Sequence, residues 1–196
     1  VFVLLSTEPG RLLDTIRSRC LRLNFAGDGQ RAFREDELAW LHEFAAMAAK
    51  GDKDLFGRYR LLDTLMARLK ALEATIDEEV EAASPLSQHE DIPPELRDQW
   101  EEESKAAVMA EYRHRRAGFL TALQGWLRDV WLHARGLGAE RARFPDLADS
   151  AASVAGRITA HDAEANLRLV EQTQRTLHTN VGELLVLEMG LLKLKL

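Results

Sequence analysis

The chain has 196 residues, 46% of them hydrophobic and 30% charged, with 32 acidic residues against 26 basic ones. That apolar share excludes a disordered tail, and a net charge of −6 argues against a protein that coats nucleic acid over its whole surface, which needs a basic face. Cys20 is the single cysteine, so neither an intramolecular disulfide nor a cysteine-based zinc site can form within the chain. No apolar run approaches the ~20 residues of a membrane helix, and a soluble, cytoplasmic setting is expected.

In chain order, Val1–Leu5 reads VFVLL, an unbroken apolar and β-branched run suited to a buried strand of a parallel sheet. Such a strand requires partners on both edges and both faces, and nothing downstream offers comparable strands. The expectation is therefore a piece of an α/β domain whose earlier part precedes Val1. Ser6–Gly10 is a turn punctuated by Pro9 and Gly10. A short helix is expected within Arg11–Ser18, and Leu21–Phe25 alternates as a second strand would.

Beyond the Gly27-Asp28-Gly29 break the periodicity is helical. Trp40, Leu41, Phe44, Ala45, Met47 and Ala48 mark an amphipathic helix ending near Gly51. Leu62, Leu65, Met66, Leu69, Leu72, Ile76 and Val80 mark a long one ending at Ser84-Pro85. A Pro-rich connector over 84–94 leads to a helix that Pro93 or Pro94 opens, since proline's missing N–H has no partner there. An acidic stretch and then Met109, Tyr112, Phe119, Leu120, Leu123, Leu127, Val130 and Trp131 give either one very long helix or two, with Gly118 and Gly125 as weak points. Gly136-Leu137-Gly138 stops it. Short helices follow near 147–157, 161–178 and 180–193, the last rich in leucine.

The chemistry is mostly negative. The chain holds no Walker-type phosphate loop, G-x-S-x-G, G-x-G-x-x-G or H-E-x-x-H. The six histidines are scattered, at 42, 89, 114, 133, 161 and 178. Glu111 and His114 form one E-x-x-H, whereas a bundle metal site needs two plus further glutamates, so they read as surface residues and no metal is expected. Glu78-Glu79 and Glu101-Glu102-Glu103 read as a solvated helix face, and the Trp and Met residues as core.

Thr7-Glu8-Pro9-Gly10-Arg11-Leu12-Leu13-Asp14-Thr15-Ile16-Arg17-Ser18-Arg19-Cys20, set between two apolar runs, resembles the sensor-1 strand and Ser-Arg-Cys motif of the clamp-loader branch of the AAA+ ATPases. The form T-I-R-S-R-C is most similar to delta-prime subunits of the bacterial DNA polymerase III clamp loader. Trp126–Val130 and Asn180–Glu188 are similar to that family's collar helices. The resemblance implies a mainly α chain in three parts. These are a strand-turn-helix-strand remnant of the α/β AAA+ core (1–25), a reduced helical lid (26–54) and a helical collar (55–196) with an acidic insert at about 77–115.

Arg19 matches the family's arginine finger, which reaches a neighbouring subunit's ATP. A planar, permanently charged guanidinium pairs bidentately with phosphate oxygens and offsets charge on the transferring phosphoryl group. Arg17 is an adjacent arginine suited to a local salt bridge, and Ser18 and Cys20 set turn geometry and packing. Thr7 matches sensor-1, a position that in delta-prime relatives is typically a vestige. Between Ala26 and Arg60 the Gly-Ser-x-Arg helix of ATP-hydrolysing subunits is absent.

The implied role is a scaffold that is not itself catalytic and binds no cofactor of its own. It works beside ATP-Mg on the neighbouring subunit, with gamma/tau and delta subunits docked through the collar. The sliding clamp and primed DNA engage the whole assembly, and no membrane is involved. The alternatives are a gamma/tau-type ATPase subunit of the same machine and an unrelated helical adaptor.

Overall fold

The computed structural model describes residues 3–6, 12–21, 23, 32–51, 55–83 and 93–196. The chain divides into two compact units, Val1–Ala32 and Phe33–Leu196.

In the first unit, α1 (Asp14–Arg17) is a single turn, shorter than the helix expected over 11–18. It closes early because its last carbonyls are taken locally. Arg19 N–H donates to Ile16 O at 3.1 Å, and the Ser18 hydroxyl donates to Thr15 O at 3.3 Å. At the described positions neither expected strand forms. Val3–Ser6, Leu21 and Leu23 have no strand pairing, and Val3, Leu4 and Leu5 are 79%, 62% and 89% exposed. A strand exists only against a neighbour's backbone, and there is no strand among the described residues. The rest of both runs, the Pro9-Gly10 turn and the Gly27–Gly29 break lie outside the described residues.

The second unit is a helical bundle: α2 (Glu35–Lys50), α3 (Leu55–Ala83), α4 (Pro94–Ala134), α5 (Gly138–Arg141), a 3₁₀ turn (Pro145–Leu147), α6 (Ala148–Ala155), α7 (Ala160–Thr176) and α8 (Glu183–Leu191). α2 begins where the Glu37 carboxylate accepts from Arg34 N–H at 3.0 Å, and three acidic residues in its first turn suit the helix dipole. It ends at Gly51, whose φ of 75° is the left-handed cap glycine favours. Pro94 stands in the first turn of α4, as proline's missing donor predicts.

α4 is one helix of 41 residues, ~61 Å long, and neither Gly118 nor Gly125 breaks it. Gly125 has a packing role. A Cβ there would lie 2.9 Å from the Phe144 ring, so glycine lets the 143–144 segment cross the helix.

The core lies around α4, on which α2, α3, α5, α6 and α7 all pack, while α8 packs on α7 and α3. Trp40, Phe44, Phe119 and Trp126 form its aromatic centre, all at most 1% exposed. Trp40–Phe119 and Phe44–Trp126 meet edge-on at 5.6 and 6.0 Å. α2, placed above in a lid, therefore shares one core with α3, α4 and α6. Trp40 and Trp126 fulfil the core expectation. Met109 and Met189 do not, being 49% and 51% exposed.

Candidate functional site

The chemistry anticipated near the amino end centres on the C-terminal side of α1. The turn bonds of Ser18 and Arg19 place Ser18-Arg19-Cys20 immediately after one helical turn, and all three residues are exposed. Cys20 is a free thiol. The Arg19 guanidinium has no carboxylate partner among the described residues. Arg17 closes α1 by its backbone, and its side chain lies outside the described part, as does the whole of Thr7. The structure thus groups Ser18, Arg19 and Cys20.

At the other end, α8 has the sequence ELLVLEMGL, apolar on nearly every side. Val186, Leu187, Gly190 and Leu191 face the core. Leu184, Leu185 and Met189 point outward, at 56%, 53% and 51% exposed, with Val181 just before them. A helix apolar on both faces is characteristic of one buried on both. The outward stripe continues onto α3. Tyr59 donates its hydroxyl to Glu188 Oε1 at 2.9 Å, and Phe56, one turn earlier, is 81% exposed. The hydrogen bond to Glu188 raises the Tyr59 pKa above the usual phenol value, so the hydroxyl stays a donor.

Buried charge fixes the start of α8. Glu183 in its first turn accepts from both Arg116 and Tyr112 of α4, and Arg116 also donates to Leu177 O at 3.4 Å. Burial, then the bond to Glu183, pushes the Tyr112 hydroxyl well above the ordinary phenol range. Next to it the Arg115 side chain bridges Glu79 of α3 and Glu111, the latter at 2.6 Å. Glu79, read from sequence as part of a solvated face, therefore joins α3 to α4 through Arg115, and Glu111 holds that arginine from within α4. Glu111 is thus committed to Arg115 while His114 is exposed, and no cluster of three metal-ligating side chains occurs among the described residues. No helix among the described residues is long and apolar enough to cross a membrane.

Sequence reasoning missed Phe56 and Tyr59, which lie off the apolar stripe of α3. Their aromatic pairing at a three-residue spacing was the available signal. It also missed that half of the α8 leucines face outward, although nine residues with a single charge at each of positions 183 and 188 have no polar face to offer solvent. No family model, no curated protein and no solved structure matches the chain.

Proposed function

We propose that the chain belongs to a delta-prime-like clamp-loader subunit, which does not hydrolyse ATP and offers Arg19 to the ATP held by an adjacent subunit. The observation that carries this reading is the Arg19 guanidinium. It is exposed at the end of a one-turn helix, free of any carboxylate among the described residues, within the T-I-R-S-R-C motif. An arginine engaged by its own chain would have no reach to a neighbour's phosphate. The expected organisation of AAA+ remnant, lid and collar goes with this reading, with the lid helix α2 packed into one core with the collar helices. The outward apolar stripe of α8 supports it independently, as the kind of surface a collar buries against gamma/tau and delta subunits. ATP binding at the shared site would favour clamp opening and its placement on primed DNA in the cytoplasm.

The test is a reconstituted clamp loader carrying Arg19→Ala in this chain. DNA-stimulated hydrolysis at the site Arg19 serves should fall by roughly 10³–10⁵, the range measured for trans-acting arginines in related chemistry, while assembly persists. Unchanged hydrolysis, or ATP hydrolysis by the purified chain alone, would overturn the assignment. A chain that binds no clamp-loader subunit would instead be the helical adaptor.

A further inference from the structure

A cavity of about 250 Å³ opens in the helical bundle. The C-terminal end of α2, the start of α3, the α6–α7 connection and the last residues of the chain form its walls. Five cationic side chains line it: Lys50, Arg58, Arg60, Arg157 and Lys195. Asp162 is the one side-chain carboxylate among its described lining residues, and Lys195 is paired with it.

The other four cations have no carboxylate partner among the described residues. Arg157 is held by neutral carbonyls, donating to Ala49 O at 2.8 Å and Ala48 O at 2.6 Å. Gly51 admits it, since a Cβ there would stand 3.1 Å from the Arg157 guanidinium carbon. Arg58 likewise donates to Leu192 O at 2.8 Å. A guanidinium has five N–H donors, and these bonds fix both groups in place without neutralising them. Lys50 and Arg60 are exposed at the rim. In a chain of net charge −6, these four cations, none paired with a carboxylate among the described residues, stand around one concavity whose lining also includes the last residue, Leu196, and together they favour an anion between them. The lining also has an apolar part, with Met47, Leu61, Leu191 and Leu194.

We infer that this cavity binds a small phosphate-bearing molecule, its phosphate among Lys50, Arg58, Arg60 and Arg157 and any organic part against the apolar lining residues. Rigid guanidinium forks suit tetrahedral phosphate oxygens. The volume is below the roughly 300–1,000 Å³ of most cofactor pockets, which sets the ligand at a phosphate with at most a small ring.

Calorimetric titration of the full chain tests this, with phenyl phosphate, inorganic phosphate and phenol as probes. Both phosphates should bind saturably at one per chain and weaken as salt rises, while phenol does not bind. Tighter binding of phenyl phosphate assigns a phosphomonoester, and equal binding assigns the free ion. The Lys50→Gln/Arg60→Gln variant changes only exposed rim side chains that have no partner among the described residues, so its thermal melt should match that of the parent while both affinities fall at least tenfold. Charge reversal at the same two positions should abolish binding. No saturable binding, binding of phenol equal to that of phenyl phosphate, or unchanged affinity in the double variant with its fold intact would overturn the inference.

Discussion

A buried carboxylate holds the segment after α5 in place. Asp129, 1% exposed on α4, accepts from Arg143 N–H at 2.9 and 2.8 Å and from Phe144 N–H at 2.9 Å. Asp129→Ala would leave both donors without an acceptor, at about 1–3 kcal/mol each. A loss of about 3 kcal/mol is expected from the urea midpoint at unchanged slope, and a loss within ~0.5 kcal/mol would show that the segment finds other partners. Asp162 gives a pH-dependent case. Bonds from Lys195 and Thr159 lower its pKa from 3.8 to about 2. The folded value lies below the unfolded one, so the stabilisation is complete above about pH 4 and is lost as pH falls toward 2. In Lys195→Ala, carboxyl NMR should find the Asp162 pKa moved up toward 3.8, and an unmoved value would refute the pairing. At this scale the sequence discloses bulk more readily than partnership. Trp40 and Phe44 are legible as core because area and helical spacing announce them. Asp129 looks like any surface acid beside Arg128, since its acceptors' use depends on a backbone segment some fifteen residues away.

Helix by helix, most of the chain from 35 to 196 is easily read, because apolar spacing, Pro94 and Gly51 all act within one or two turns, while the short α5 right after the Gly136–Gly138 stop is not. What escapes is whatever a distant element decides. The close passage of the 143–144 segment over Gly125 is set by Phe144, and the absence of strands at Val3–Ser6 goes with the lack of a neighbouring strand among the described residues. The two-sided apolar character of α8 was visible, though which side faces out was not. The α7–α8 crossing shows how tightly such contacts are set. A Cβ on Gly190 would fall 2.3 Å from Thr173 Oγ1. Gly190→Ala should therefore destabilise by about 1–3 kcal/mol through overpacking. Thr173→Ala should recover much of that loss in the double variant, and a double-mutant cycle with no coupling would sink the argument.

For the whole molecule, the outward stripe of α8 and the start of α3 is the feature that calls for a partner. Burying half-exposed Leu184, Leu185 and Met189 would contribute about 1 kcal/mol each. In the clamp-loader reading, Leu184→Glu/Met189→Glu should leave the thermal melt unchanged and remove the chain from the assembled complex on gel filtration. Retained assembly would move the docking surface elsewhere. The Arg19 motif was legible because its signal is local and contiguous, whereas this stripe draws on residues 56–59 and 181–189, which only folding brings side by side. The long central helix has a further consequence. With five other helices leaning on a single uninterrupted rod, no one of them can loosen without exposing the rod's apolar flank to water. Partial opening around the buried stretch of α4, Arg115–Leu132, is thereby penalised at every step, and Phe33–Leu196 is expected to melt all at once.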